Sequence, residues 1–146
     1  MGDLRPPGAS AGRPRGLAWL GGKLYVADTN NGRVQKFDGV GTFLLAWNTA
    51  DRPVGVDVSP QGAVYVATFD GHLMQKFDDA GNVMAEWSTG GGDFTPLDVA
   101  ANGDGDVFVV DTNHHRVRRY LDLEPRLIFA DGFESGDTSA WSLTSP

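Results

Sequence analysis

Residues 26–37 read VADTNNGRVQKF, and the chain repeats this stretch twice. Residues 66–77 read VATFDGHLMQKF, and residues 109–120 read VVDTNHHRVRRY. The three copies start 40 and then 43 residues apart. A period of about 40 to 45 residues is typical of folds in which one small supersecondary unit is stacked several times.

Each repeat divides into four strand-like segments. In the first repeat we predict strands at residues 16–19, 23–27, 33–38 and 42–47. Glycine or asparagine, which tolerate left-handed turn conformations, stands at each break between them. Four antiparallel strands at this period predict an all-β fold, made of three four-stranded β-propeller blades.

A tryptophan marks the end of the first two repeats. Trp47 and Trp87 each lie ten residues beyond the aromatic residue that closes the repeated stretch. In the third repeat Ala130 stands at this distance, with Phe129 beside it. We therefore expect the third repeat to end without a tryptophan.

The repeated stretch resembles the core of the NHL repeat. Residues 26–37 and 110–117 carry the likeness, and residues 71–73 read GHL, close to the Asn-His-Leu that names the repeat. The openings at residues 14–16 and 53–55, Pro-Xaa-Gly, fit as well. The resemblance covers about residues 13–131 and implies a propeller. NHL propellers serve as binding platforms, as sensor domains and, less often, as enzymes.

The repeats divide the chain into five segments. We predict a lead at 1–12, NHL-like repeats at 13–51, 52–94 and 95–131, and an acidic tail at 132–146. The tail resembles a segment near the C-terminus of secreted bacterial proteins and the first strand of jelly-roll carbohydrate-binding modules. This resemblance implies a secreted or periplasmic location and a missing leader. The alternative is a flexible acidic terminus.

Three blades are too few for a closed ring, because propellers close with about four to eight blades. Two explanations stay open. The chain is a fragment of a longer protein, which we favour, or two copies form a homodimer that closes a six-bladed ring.

Composition excludes several classes of function. The chain has 146 residues and no cysteine, which excludes disulfides, thiolate metal sites and a cysteine nucleophile. Twelve Lys and Arg face 19 Asp and Glu, a net charge of −7 that argues against nucleic-acid binding. No apolar stretch approaches the roughly 20 residues of a transmembrane helix.

Two acid–base pairs recur at one turn. Asp28 and Arg33 flank the turn between the second and third strands of the first repeat, and Asp111 and Arg116 flank the same turn of the third. We interpret both as structural ion pairs that hold the turn. The second repeat has Thr68 and Leu73 there, so both partners are lost together.

One edge of the blades collects the candidate binding residues. In an up-and-down blade, the turn between strands two and three lies at the same edge as the link to the next blade. Loops at this edge surround the mouth of the central channel, where ligands of propellers usually bind. Phe94 is either a core anchor or an exposed contact. The candidate ligand-face residues are Asn30, Asn31, Asp51, Arg52, Asp70, His72, Asp93, Phe94, Asn113 and His114.

No catalytic constellation is visible in the sequence. We expect no metal site and no cofactor. His114 and His115 are adjacent, so their side chains diverge, and the calcium-loop-like stretch that begins at residues 102–106 has Val107 in place of the required glycine and Asn113 in place of the bidentate glutamate. The favoured function is a non-catalytic binding or scaffold module for a protein, peptide or glycan. The alternatives are part of a propeller lyase or hydrolase with a metal in the central channel, and an RNA-binding module that would need a basic face.

Overall fold

The computed structural model describes residues 12–88, 93–123 and 126–133, with side chains described as far as residue 121. Each repeat forms one four-stranded antiparallel sheet whose strands pair in chain order. Blade 1 contains β1 Pro14–Leu20, β2 Lys23–Asp28, β3 Arg33–Asp38 and β4 Phe43–Asn48. Blade 2 contains β5 Pro53–Val58, β6 Val64–Thr68, β7 Leu73–Phe77 and β8 Val83–Trp87. Blade 3 contains β9 Pro96–Ala101, β10 Asp106–Asp111, β11 Arg116–Leu123 and β12 Arg126–Phe133.

The prediction of an all-β fold with three four-stranded blades is confirmed. The turns form where the sequence places flexible residues. Gly21 and Gly22 join β1 to β2 with φ angles of 56° and 75°, the left-handed pair that a tight hairpin with the native strand twist requires. Besides the strands, the described residues contain two single-turn 3₁₀ helices, Thr29–Asn31 and Thr112–His114. None of the helices in this part of the chain has the length and apolar character of a membrane span.

The hydrophobic cores lie between blades rather than within them. We name the side of a blade that meets the following blade its trailing face, and the side that meets the preceding blade its leading face. Tyr25, Ala27 and Val34 on the trailing face of blade 1 pack against Val56 and Val66 on the leading face of blade 2. A second core joins blades 2 and 3 in the same way. It contains Val54, Tyr65, Ala67, Met74, Phe94, Val99, Val107, Val109 and Tyr120.

The first strands of neighbouring blades approach most closely at two glycines. A Cβ atom on Gly16 would lie 2.8 Å from the carbonyl oxygen of Val54, and one on Gly55 would lie 2.8 Å from Cα of Asp98. Side chains do not fit at such distances from backbone atoms. The glycine of the Pro-Xaa-Gly opening therefore lets the inner strands pack side by side.

The last strand of blade 3 differs from the expected register. Val34 of β3 pairs with Trp47 and Met74 of β7 pairs with Trp87. The matching residue of β11, Val117, pairs with Phe133, whereas Ala130 pairs with Arg119. An irregularity between Val117 and Arg119 shifts the register, so Phe133 rather than Ala130 occupies the tryptophan position.

Candidate functional site

The links between blades and the turns between second and third strands meet at one edge, as the topology predicts. The backbone N–H of Phe69 donates to the carbonyl of Arg52 at 3.2 Å, and that of Thr112 donates to the carbonyl of Thr95 at 3.0 Å. Each link is thereby tied to the turn of the blade that it enters. We call this edge the loop face, made of residues 28–33, 48–53, 68–73, 93–96 and 111–116.

Asp28 organises the turn of blade 1. Its carboxylate is buried and accepts hydrogen bonds from Arg33 Nε at 2.8 Å, Gln35 Nε2 at 2.6 Å and Asn31 Nδ2 at 2.9 Å. The interpretation of Asp28 and Arg33 as a pair that holds the turn agrees with this geometry. Because Asn31 is committed to the same carboxylate, it belongs to the turn more than to the exposed surface.

Asp111 has the same role in blade 3. Its fully buried carboxylate accepts from Arg116 Nε at 3.1 Å and lies 3.3 Å from Arg118 Nε. His114 Nδ1 donates to it at 3.0 Å, and the backbone N–H of Thr95 donates at 3.3 Å. Burial alone would raise the pKa of Asp111, but the hydrogen bonds from His114, Arg116 and Thr95 outweigh it and lower the pKa. The carboxylate therefore stays ionised, and it joins the turn of blade 3 to Thr95 in the segment between blades 2 and 3.

Blade 2 achieves the same turn without charge. Thr68 is fully buried, and its hydroxyl donates to the carbonyl of Leu73 at 2.8 Å. The threonine thus bonds across the turn to the backbone of the residue that replaces the arginine. The joint loss of acid and base leaves no buried charge behind.

The exposed candidates are spread over all three blades. Arg52 and Asp70 form an exposed ion pair between the link and the turn of blade 2. The backbone N–H of Arg52 donates to half-buried Asp51 at 2.6 Å. Asn30, Asp93 and Asn113 are exposed on the same edge. These side chains present hydrogen-bonding groups to solvent.

Phe94 does not belong among the exposed candidate residues. Its ring is buried in the core between blades 2 and 3, so the core-anchor alternative is the right one. Its carbonyl oxygen faces the turn of blade 2 and accepts from His72 Nδ1 at 2.6 Å. Because a carbonyl can only accept, Nδ1 of His72 carries the proton. His72 therefore fastens the link to the turn and is half-buried.

The described residues offer little to a metal ion. They contain no group of three or more His, Asp or Glu side chains placed to hold one. Residues 102–106 form a turn, in which Asn102 Oδ1 accepts from the backbone N–H of Asp104 at 3.0 Å and of Asp106 at 2.9 Å. The carboxylate of Asp57 accepts a hydrogen bond from the backbone N–H of Ala101 at 2.7 Å.

Sequence reasoning missed an ionic clamp between blades 1 and 2. Asp79 of blade 2 accepts from Lys36 Nζ at 2.6 Å, from Lys23 Nζ at 3.3 Å and from the hydroxyl of Tyr25. Burial of Asp79 would raise its pKa, but these three hydrogen bonds hold it at about 2. Burial and the bond to Asp79 raise the pKa of Tyr25 far above its usual value. The sequence signal that could have revealed this clamp is the recurrence of Tyr25 and Lys36 as Tyr65 and Lys76 in the second repeat. There the ammonium of Lys76 lies 5.9 Å from the centroid of the Tyr65 ring.

Comparisons with known proteins agree with this architecture. The family model described as "NHL repeat" matches residues 12–37 and 95–120, so the recognition of NHL repeats is confirmed in blades 1 and 3. No curated protein matches the chain.

Solved structures similar to this chain are β-propeller proteins. A hydrazine synthase of Kuenenia stuttgartiensis is 12% identical, with a TM-score of 0.72 over 91% of this chain and 40% of the other. A virginiamycin B lyase from Staphylococcus aureus is 15% identical, with a TM-score of 0.68 over 86% and 42%. The WD40 β-propeller domain of Doa1 is 16% identical, with a TM-score of 0.65 over 92% and 40%. At such identities the likeness shows the fold alone, and this chain spans about two fifths of each structure.

Proposed function

We propose that this chain is a non-catalytic propeller module that binds a protein, peptide or glycan through its loop face. The observation that carries the proposal is that this edge combines buried residues that hold the turns with exposed polar residues. Buried Asp28, Thr68 and Asp111 fix the backbone of the three turns. Exposed polar side chains such as Asn30 and Asn113 are left to meet a ligand. Binding residues on short loops held by a rigid scaffold are the usual design of such platforms.

The enzyme alternative has weaker support. One structural neighbour is a virginiamycin B lyase, but the likeness reaches only the fold. The described residues contain no group of three or more His, Asp or Glu side chains that could hold a metal ion. Metal analysis of the purified protein tests this alternative, since a channel-bound metal would be found at about one equivalent per closed ring.

The RNA-binding alternative would need a basic face, but the three arginines of β11 lie against carboxylates of their own blade. Arg116 and Arg118 both lie against the carboxylate of Asp111, and Arg119 Nη2 is 2.9 Å from Asp106. Their charges are largely neutralised within blade 3. The net charge of −7 adds a long-range repulsion toward phosphates.

The test compares the two edges of the blades. The purified protein is screened against a glycan array and a displayed random-peptide library, and hits are measured by titration. We expect Asn30→Ala with Asn113→Ala to abolish binding, because both side chains are exposed on the loop face. The control, Gln61→Ala with Asp104→Ala, changes two exposed residues of turns on the opposite edge and should leave binding intact. Equal loss in both double variants, or none in either, would contradict the proposal.

A further inference from the structure

The turn of blade 2 differs from the other two turns at one exposed position. Phe69 occupies the repeat position of Thr29 and Thr112. Thr29 is buried and Thr112 is half-buried, whereas Phe69 is 36% exposed. Apart from Phe69, the described residues of the loop face expose no large apolar side chain. A single exposed aromatic ring among polar residues is a typical anchor of a binding surface.

Arg52 and Asp70 lie beside this ring. The backbone N–H of Phe69 donates to the carbonyl of Arg52 at 3.2 Å. Nε and Nη2 of Arg52 both donate to Oδ2 of Asp70, which follows Phe69 in the chain. The side chains of Arg52 and Asp70 are nevertheless 51% and 40% exposed. We call these three residues, 52, 69 and 70, the aromatic patch.

The ion pair leaves one acceptor and one donor for a ligand. Both bonds from Arg52 go to Oδ2, and no described residue bonds to Oδ1 of Asp70 or to Nη1 of Arg52. A carboxylate oxygen that accepts and a guanidinium nitrogen that donates therefore lie next to the phenyl ring. Because the pair already holds both side chains, less conformational entropy is lost when a ligand binds.

The backbone that carries the patch is held by blade 2 and by the link that follows it. The hydroxyl of buried Thr68 donates to the carbonyl of Leu73 across the turn. His72, on the same turn, bonds to the carbonyl of Phe94 in the link to blade 3. Blade 2 also has a described blade on either side, and the two cores pack against both of its faces. The patch is thus built on the best-supported turn of the described chain.

We propose that the aromatic patch binds a neutral hexose glycan. The C–H face of a pyranose ring packs against the face of an aromatic ring, as other apolar groups do. Two neighbouring hydroxyls of the sugar match the polar groups, because a hydroxyl both donates and accepts. One donates to Oδ1 of Asp70, and the other accepts from Nη1 of Arg52. The inference rests on the proposed binding function of the loop face and selects one of its ligand classes.

Charge and shape favour this ligand over an acidic glycan or a peptide. Arg52 is neutralised by Asp70, and half-buried Asp51 adds a negative charge to the same link. Together with the net charge of −7, this repels an acidic sugar. Peptides are usually anchored in apolar pockets or along sheet edges, whereas Phe69 is a lone apolar ring among polar groups.

Titration calorimetry with defined oligosaccharides tests the ring. The probes are cellohexaose, mannohexaose and maltohexaose, with the hexamer of galacturonic acid as the acidic counterpart. We expect binding of at least one neutral hexamer and none of the acidic one. Phe69→Ala should weaken this binding at least about tenfold, and Phe69→Trp should retain it, because the larger ring keeps the stacking surface. Phe43→Ala is the matched control, since Phe43 is also 36% exposed but lies at the far end of β4.

A second pair of variants tests the polar groups. Arg52→Ala with Asp70→Ala removes both partners together and should also weaken binding at least about tenfold. Gln61→Ala with Asp104→Ala, on the opposite edge, should leave the affinity unchanged. Circular dichroism confirms that every variant is folded.

The outcomes distinguish this inference from the proposed function. The inference is wrong if no neutral hexamer binds, if the acidic hexamer binds more tightly, or if Phe69→Ala binds as the wild type does. A peptide that binds in a manner dependent on Asn30 and Asn113 would then still support the proposed function. If no glycan of the array and no peptide of the library binds, both are wrong.

Discussion

At the scale of single residues, the turns of the three blades share one left-handed position. Gly32 has a φ angle of 60°, and His72 and His115 each have 51°. Glycine adopts this conformation readily, whereas other residues pay about 1 to 2 kcal/mol for it. At His72 the strained conformation is accompanied by a hydrogen bond from the ring to the carbonyl of Phe94. At His115, which is exposed, we find no comparable bond among those described.

Replacing these two histidines by glycine should have opposite effects. We expect His115→Gly to raise the free energy of unfolding by about 0.5 kcal/mol, because it relieves the left-handed strain. His72→Gly relieves the same strain but breaks the bond between turn and link, so it should lower stability by about 1 kcal/mol. Urea denaturation of the two matched variants measures both changes. A gain of stability in both variants would show that His72 does not fasten the link.

The buried carboxylate of Asp111 makes its partners costly to remove. We expect Arg116→Ala to destabilise the protein by about 2 kcal/mol. This is less than the roughly 3–5 kcal/mol for breaking a buried ion pair, because His114 and Arg118 still face the carboxylate. Thermal unfolding followed by circular dichroism measures the loss. An unchanged melting temperature would argue against the ion pair.

Blade 2 supplies the control for this pair. The triple change Asp111→Thr with Arg116→Leu and Arg118→Gln copies Thr68, Leu73 and Gln75, so both arginines that face Asp111 are replaced together with it. It should destabilise the protein less than Arg116→Ala alone, since no buried carboxylate remains and neither arginine loses its acidic partner. A triple variant that is less stable than Arg116→Ala would show that the turn of blade 3 depends on the charge itself.

At the scale of strands and turns, the sequence predicted most of the fold. Alternation and turn residues predicted the four strands of each blade, and the spacing of five predicted that Asp28 pairs with Arg33. The register of β12 was not predictable, because the irregularity opposite Val117 changes the count of residues along the strand. The Gln35 bond to Asp28 was also missed, although alternation places Gln35, two residues beyond Arg33, on the same face of β3.

Close packing of inner strands makes Gly55 sensitive to the smallest side chain. A methyl group there would meet Cα of Asp98 at 2.8 Å, so the blades must move apart. We expect Gly55→Ala to cost about 1 to 3 kcal/mol of stability, as overpacking does in other cores. Gly103→Ala is the control, because its nearest neighbour, Pro60, is 3.8 Å away. Equal stabilities of the two variants in urea would contradict the close approach of the inner strands.

The clamp on Asp79 should make the junction of blades 1 and 2 sensitive to acid. The pKa of Asp79 is lowered from 3.8 to about 2 in the folded chain, so the unfolded chain binds the proton more readily between these values. The stabilisation is complete above about pH 4 and is lost as the pH falls toward 2. Because the carboxylate is 46% exposed, solvent screening reduces the contribution to about 1 kcal/mol.

A comparison of two variants isolates this pH dependence. Asp79→Asn should lower stability at pH 5 and should lose less stability than the wild type between pH 5 and pH 3. Asp104→Asn removes the same charge from an exposed turn and should retain the wild-type profile. Urea midpoints at both pH values give the slopes. Parallel profiles for Asp79→Asn and the wild type would rule out the clamp as a source of acid sensitivity.

At the scale of the whole molecule, the sequence predicted where the candidate site lies but not which of its side chains are available to a ligand. Strand order alone predicted that the turns and links share an edge. Which side chains at that edge are free to meet a ligand depends on three-dimensional contacts. Phe94 is drawn into the second core, and His72 and Asn31 are committed to bonds within the edge. Residues such as Asn30, Asp93 and Asn113 are left on the exposed surface.

The shared cores also predict how the molecule unfolds. Each blade buries its apolar residues against a neighbour, so blade 2 takes part in both cores and cannot unfold alone. Trp47 belongs to the first core and Trp87 packs beside the second. In variants that keep a single tryptophan, either Trp47 or Trp87, with Trp19 and Trp141 also replaced, the fluorescence transitions in urea should have the same midpoint and slope. Two separate midpoints would show that the junctions of blade 2 are independent, as nearest-neighbour coupling in a weakly coupled repeat array allows.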